Sequence, residues 1–243
     1  MTALRGQVAL VTGAGQRVGQ AIALALGAEG MRVAVHHHAS ADGARRTAAA
    51  LRGLGAEPAT FAADLGQTDA PARLADEVVA HFGTLDLLVN SAAIMRRLAL
   101  NSVTPAEWDE TFAVNTRAPF FLSLAAARVM GERGGAIVNI ADHLAHESWP
   151  MLVPHAASKG ALETITRQLA VQLAPRVRVN AVAPGAVLPP PDWPAAARRR
   201  FEDETPLRRL GTPDDVAQAV VYLASAPYVT GHVLFVDGGR HLR

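Results

Sequence analysis

TGAGQRVG, residues 12–19, lies between the apolar run VALV (8–11) and the Ala-rich stretch QAIALALGAEG (20–30). Its glycines fall at 13, 15 and 19, one residue wider than the common G-x-G-x-x-G dinucleotide fingerprint. The physics is the same. Glycine permits a tight turn and a close approach of backbone to a pyrophosphate, and the following helix offers its free N–H groups to the anion. Glycines also end strands for structural reasons alone. The position of this turn, after a first strand and before a first helix, favours nucleotide binding. Gly13, Gly15, Gln16, Arg17, Val18 and Gly19 are therefore candidate cofactor contacts.

Outward from this turn the pattern repeats. VALVT (8–12), MRVAVH (31–36), PATFAAD (58–64), LDLLVN (85–90), AIVNIA (136–141), VRVNAVAP (177–184) and VLFVDGG (233–239) read as strands. Several are apolar on both faces, as parallel strands covered on both sides must be. The intervals predict helices near 18–29, 43–54, 68–82, 105–131, 155–174 and 213–224. Thr68 and Asp69, Thr104-Pro105 and Thr212-Pro213 supply helix-start signals. Strand–helix alternation with right-handed crossovers predicts an α/β fold: a single-domain, Rossmann-type, doubly wound parallel sheet of about seven strands with helices on both faces. No linker or repeat divides residues 1–243. PGAVLPPPDWP (184–194) is too proline-rich for an ordinary helix, and a substrate lid is expected near 186–210.

Composition narrows the function classes. Half of the 243 residues are hydrophobic, the formal net charge is +1, and there is no cysteine. Interleaved charges exclude a nucleic-acid surface, and the lack of thiols excludes disulfides and thiolate metal sites. The densest basic run, Arg198–Arg200, is followed by Glu202, Asp203 and Glu204 and reads as a solvated, salt-bridged helix face. No long apolar segment is seen, so a soluble, cytoplasmic protein that avoids membranes is expected.

The second strand ends in VHHHAS (35–40) without the acid that NAD-specific folds place there for the ribose hydroxyls. His36, His37 and Ser40 are candidate donors to a 2′-phosphate, with Arg17 adding charge, so NADP(H) is the expected cofactor. Alternate strand residues face opposite ways, so three successive histidines make a poor metal site, and none is assigned. Asp64 is placed either to meet an adenine amino group or to cap a helix.

These residues resemble the short-chain dehydrogenase/reductase family along the whole chain. TGAGQRVG is similar to its cofactor turn, Asp64-Leu65 to its adenine contact, and LVNSAA (88–93) to its NNAG segment. Asn115 is similar to the helix asparagine that holds a proton-relay water, HAASK (155–159) to the YxxxK signature, and APG (183–185) to the loop cradling nicotinamide. The resemblance implies that Asn90, Ser91, Ala92, Pro184, Gly185 and Val187 lie against the cofactor. Arg17 and Asp142, with the terminal DGGRHLR, are closer to the pteridine and dihydromonapterin reductase branch. That branch implies NADPH-dependent reduction of a pterin-like substrate. His155 stands where the family has tyrosine, and Met95 where the branch has a stacking aromatic. The family also implies a homotetramer or homodimer, built through the helices at 105–131 and 155–174 and the last strand.

Lys159 is the only lysine in a chain whose other basic side chains, histidine apart, are all arginine. In the family this lysine anchors the nicotinamide ribose and assists the proton donor, and a broad guanidinium would not fit the same gap. Four-residue spacing puts Lys159 and His155 on one helix face. A neutral imidazole is a poor acid, and an ammonium about 4 Å away opposes its charge by on the order of 4 kcal/mol at intermediate dielectric. A carboxylate within hydrogen-bond reach offsets this. An Asp142–His155–Lys159 constellation is therefore expected, with Asp142 keeping His155 protonated for delivery to a carbonyl or imine. A protein that binds cofactor with little turnover, and an ordinary 3-oxoacyl or carbonyl reductase, are the alternatives. His143, His146 and Glu147 read as a polar loop over the pocket. Met95, Trp149, Leu188 and Trp193 are candidates for its substrate wall.

Overall fold

In a computed structural model, which describes residues 3–189 and 193–243, the β-branched runs form seven strands. They are β1 (Val8–Val11), β2 (Arg32–His37), β3 (Pro58–Ala62), β4 (Leu87–Asn90), β5 (Gly135–Ile140), β6 (Val177–Pro184) and β7 (Val233–Val236). They make one sheet in the order β3-β2-β1-β4-β5-β6-β7. Every neighbouring pair is parallel, with Val8 opposite Arg32 on one side of β1 and Ala9 opposite Leu87 on the other. The strand order reverses between β1 and β4, and the crevice beyond their C-terminal ends is where such sheets bind ligands.

Eight helices cover the sheet among the described residues: α1 (Arg17–Ala28), α2 (Ala41–Gly53), α3 (Ala70–Phe82), α4 (Pro105–Phe112), α5 (Ala118–Met130), α6 (Val153–Gln172), α7 (Ala195–Glu204) and α8 (Pro213–Ser225). Period-two alternation along β1 sends Val8 and Leu10 into one core with Leu74, Val78 and Leu122. Ala9 and Val11 enter the other with Ile22, Leu26 and Val220. Full burial of each large aliphatic chain contributes roughly 1.5–3 kcal/mol, so these two layers hold the scaffold under the site.

Helix starts follow local chemistry. Thr104 with Glu107 and Thr212 with Asp215 form reciprocal capping boxes. Asp69 precedes α3 without capping it and instead pairs with Arg73 at 2.7 Å. The charged run near residue 200 forms α7, with Arg198–Glu202 at 3.1 Å and Arg200–Glu204 at 2.7 Å. The single helix expected over 105–131 is corrected: a π-turn at Ala113–Arg117 separates α4 from α5. Pro119 explains the break, since it has no N–H for the Asn115 carbonyl and its ring crowds that carbonyl.

Candidate active site

The cleft opens at the C-terminal ends of β1 to β6, bordered by the 13–19 turn and by α7. Its volume, ≈ 1320 Å³, exceeds the roughly 300–1,000 Å³ of a single small-ligand pocket. It has space for an extended cofactor and a second molecule.

The turn supplies the anion end. Gln16 precedes α1 without a side-chain cap, and the first turn holds no acid. The free N–H groups and positive end of the helix dipole are thus left for a ligand. Gly13 has φ +66°, and a Cβ there would lie 3.0 Å from the Ala92 Cα. A Cβ on Gly19 would press into the Gly13 carbonyl. Arg17 is held at φ +56°, a left-handed conformation costing about 1–2 kcal/mol outside glycine. Its Nη2 donates to the Leu188 carbonyl at 3.3 Å, reaching across the cleft.

At the end of β2 the three histidines part company. His36 is 1% exposed; its Nδ1 accepts from the Gly13 N–H at 3.1 Å, and its Nε2 lies 3.1 Å from the Ala63 carbonyl. Both nitrogens are spent bracing the glycine turn against β3. Burial, helped by His37 and His38 and opposed by the Ala63 carbonyl, pushes the ring down to about 4. His36 is therefore neutral near pH 7, and it lines the cleft while bracing the turn. His37 and Ser40 line the cleft rim beside Arg17. Asp64 accepts from the Gly66 N–H at 2.9 Å and Gln67 Nε2 at 3.0 Å, bonds that hold its carboxyl low. It closes a local turn rather than capping α3, and with Leu65 it lines the cleft.

The His36 geometry predicts acid sensitivity. The unfolded chain protonates this residue near pH 6.5, whereas the fold resists to about pH 4. Stability should thus fall as pH drops from about 6.5 to 4, by roughly 3 kcal/mol in total. Urea unfolding at stepped pH values checks this, and His36→Asn should flatten the dependence across that window.

Asn90 turns its side chain away from the cleft. Its Nδ2 donates to Ser123 Oγ at 3.2 Å and Asn139 Oδ1 at 2.8 Å, inside a buried polar network rather than on the cleft wall. Ser91 and Ala92 do line the cleft. They are fixed by Thr12 Oγ1, which accepts both of their N–H groups at 2.9 and 3.0 Å. Pro184, Gly185, Val187 and Leu188 line the opposite side, from the end of β6 onward.

The reactive end is built by α6 and the segment after β5. Lys159 is 3% exposed and its Nζ donates to the Ile140 carbonyl at 2.6 Å. Burial, opposed by the charge of Asp142, lowers the ammonium to about 8. One turn earlier, His155 Nδ1 lies 3.1 Å from the Ile94 carbonyl, and Nε2 lies 3.1 Å from Asp142 Oδ2. Both neighbours are acceptors, so an N–H on each nitrogen satisfies both. Asn115 Nδ2 comes within 3.5 Å of Nδ1, but its two hydrogens go to the Ile94 carbonyl at 2.8 Å and Ser158 Oγ at 3.0 Å. Asn115 is fully buried, and its side chain pins the 94 segment against α6.

Asp142 sits between two histidines, with His143 Nδ1 3.1 Å from Oδ1. Burial alone would raise its carboxyl. Hydrogen bonds from His143 and His155 outweigh that and hold it well below the usual range. His143 turns into the protein, 5% exposed, whereas His146 turns away to pair with Glu163 at 2.9 Å. The polar loop expected there thus splits in two directions. One wall of the cleft is aromatic, with Phe201 of α7 5.8 Å from Trp149 and 5.5 Å from Trp193, ring to ring. Met95 is 54% exposed at its edge. Residues 190–192 of the expected lid lie outside the described residues. Thr12, Phe201 and Arg240 were not singled out as site residues from the sequence, and His143 and Glu147 were read only as part of a polar loop. Only Thr12, at the end of the first strand, carried a local signal.

Comparison with known proteins follows the same architecture. The family model described as Enoyl-(Acyl carrier protein) reductase matches residues 13–241. Versicolorin reductase 1 of Aspergillus parasiticus is 38% identical, covering 97% of each chain. A Streptomyces violaceoruber protein named as ketoacyl reductase 2 of the granaticin polyketide synthase is 39% identical over 97% of this chain and 96% of its own. Among solved structures, a short chain dehydrogenase from Burkholderia cenocepacia in complex with NADP superposes with TM-score 0.92 at 36% identity, covering 98% of this chain and 99% of that one. These relatives are named for versicolorin and ketoacyl reduction and not for pterin reduction. No helix among the described residues is long and apolar enough to cross a membrane. With its seven-stranded parallel sheet, its glycine turn at the strand-order reversal and these full-length matches, the chain belongs to the short-chain dehydrogenase/reductase family of oxidoreductases.

Proposed function

We propose that this protein is an NADPH-dependent reductase of a carbonyl or imine, in which Asp142 and His155 deliver the proton. The observation that carries the reading is the His155 ring, held between the Asp142 carboxylate and the Ile94 carbonyl at 3.1 Å each. An imidazole flanked by two acceptors can direct an N–H at each of them, and the Nε2 N–H on the Asp142 side is the proton at hand for delivery. The uncapped α1 N-terminus, the glycines packed without room for a Cβ, and Arg17, His37 and Ser40 at the rim suit a phosphorylated dinucleotide. Relatives bound to NADP or NADPH support the same cofactor. When bound, the reduced nicotinamide supplies hydride to the electrophilic carbon. The chain's residues do the rest. The helix N-terminus and Arg17 bind phosphate. Lys159 orients the ribose with the two ammonium hydrogens that Ile140 leaves free. His155 passes the Nε2 proton to the carbonyl oxygen or imine nitrogen, and the Asp142 carboxylate stabilises the ring beforehand.

The aromatic and methionine wall favours a flat or irregular apolar substrate, and the described residues of 186–210, with Phe201 on α7, act as its lid. A pterin-like ring, suggested by Arg17 and Asp142, is one candidate; a ketone of the type processed by ketoacyl reductases is the other, and the named relatives support it. The family's homotetramer or homodimer, joined through α4, α5, α6 and β7, is part of the same reading. So is a cytoplasmic setting.

The test is NADPH fluorescence titration followed by NADPH oxidation with dihydropterins and a ketone panel. Saturable binding with turnover is expected. Turnover should decline as pH rises from about 6 to 9, since the reaction consumes a proton and Lys159, lowered to about 8, loses its charge. A flat profile over that range sinks the proton-donor assignment. Binding without turnover, restored by His155→Tyr, would mark a catalytically impaired cofactor-binding protein instead.

A further inference from the structure

Behind the Asp142–His155 pair runs a line of groups that the proposed reaction does not use. His143 Nδ1 faces Asp142 Oδ1 at 3.1 Å and the Pro184 carbonyl at 3.0 Å. Its Nε2 is the one buried side-chain polar atom without a hydrogen-bond partner among the described residues, and the Glu147 carboxylate stands 3.5 Å from it. Glu147 is gripped in a bidentate pair by Arg240, at 2.7 and 2.8 Å. Arg240 in turn lies 3.8 Å over the Phe201 ring and 3.3 Å from Glu204, both on α7. With both histidines charged, signs alternate along the whole line: His155, Asp142, His143, Glu147, Arg240, Glu204. The series is buried at His155 and His143 and opens to solvent at Glu204, and its buried part is self-supporting only if every member stays in place.

We propose that His143 is a positioning residue for the Asp142–His155 pair, and that Glu147, clamped by Arg240 to helix α7, keeps its ring in register. This rests on the proton-delivery reading above. Asp142 has one carboxylate and two imidazoles to serve, so the seating of His143 fixes which oxygen His155 receives. Burial opposes charge on His143, but Asp142, the Pro184 carbonyl and Glu147 together raise its affinity for a proton. On its other side Asp142 feels only His155 and the Lys159 ammonium among the ionisable groups acting on it.

The test uses the full-length protein, NADPH, and whichever carbonyl compound the wild type reduces fastest. His143→Phe should lower kcat at least 30-fold while NADPH Kd stays within about twofold. His143→Asn should recover most of that loss, because its amide N–H can replace Nδ1 toward Asp142 and Pro184. Glu147→Gln should lower kcat about 5- to 10-fold and make His143 titrate at lower pH in ¹⁵N-imidazole NMR. Combining Glu147→Gln with Arg240→Met should lose no more than Arg240→Met alone, the non-additivity of a shared path. Equal activity of wild type and His143→Phe, or an Asn variant no better than Phe, overturns the proposal. Should His143→Phe unfold on thermal melting, the Asn and Gln variants decide in the same way. If the wild type binds NADPH but reduces nothing, proton delivery itself fails. The NMR arm then still reads the positioning: His155 ring nitrogens that do not move in Glu147→Gln or His143→Asn overturn it independently.

Discussion

Lys159→Arg is expected to raise the NADPH Kd at least about 100-fold, equivalent to roughly 2.7 kcal/mol, and to drop NADPH oxidation below about 1% of wild type. The ammonium sits 3% exposed beneath the cleft with one hydrogen donated to the Ile140 carbonyl at 2.6 Å. Two donors remain for a ligand in a space shaped to a slender chain. A planar guanidinium has its donors in a rigid fork and greater width. Forcing it into this packing costs about 1–3 kcal/mol and displaces the donors from where the ammonium held them. Fluorescence titration gives the affinity, and a thermal melt separates lost binding from lost fold. An unchanged Kd would mean that the lone lysine is structural and that the cofactor is held elsewhere.

Asp142→Asn should act on turnover and spare binding. A fall in kcat of about 10²–10³, roughly 3–4 kcal/mol of barrier, is expected with NADPH Kd within about threefold. The substitution keeps an oxygen for the Leu144 N–H that Asp142 Oδ1 accepts at 3.0 Å, so the turn after β5 survives. What it removes is the negative charge between two imidazoles. An amide NH₂ turned toward His155 Nε2 also meets an N–H rather than a lone pair, which disfavours the charged ring. Steady-state rates across pH, with the Kd measured in parallel, check the split. Loss of affinity with kcat intact would place Asp142 in ligand binding instead.

The two predictions draw on features that differ in how visible they are from the chain. Lys159 stands out by composition alone, and its four-residue spacing from His155 places both on one face of α6. Asp142 could be paired with His155 only through the family resemblance, because the twelve intervening residues fold back over the cleft from β5 to α6. The capping boxes at Thr104 and Thr212 were legible because their partners lie three residues away. The break in the 105–131 helix was legible in principle at Pro119, whose missing N–H frees the Asn115 carbonyl.

For other side chains the partners were not legible, for a common reason. His36 and Asn90 lie at strand ends where the ligand was expected, and strand parity does settle that His36 and His37 face opposite ways. It cannot say which one points at solvent, since that depends on what the neighbouring strand and helix present. Here the Gly13 N–H and Ala63 carbonyl claim His36, and Ser123 and Asn139 claim Asn90. Likewise His143 and His146 read as one loop until α7 covers the first and Glu163 draws off the second.

The amino-acid sequence by itself determined the alternation of strand and helix, the parallel sheet and the nucleotide-type turn, because those follow from periodicities and caps spanning a few residues. Only the tertiary structure decided which polar atoms meet. Glu147 and Arg240 are 93 residues apart, and their contact exists because the sheet order and the packing of α7 bring two remote loops to one side of the cleft. Short-range conformational preference carries no information about such distant pairs, while burial makes each unsatisfied group costly enough that the fold selects one partner for it.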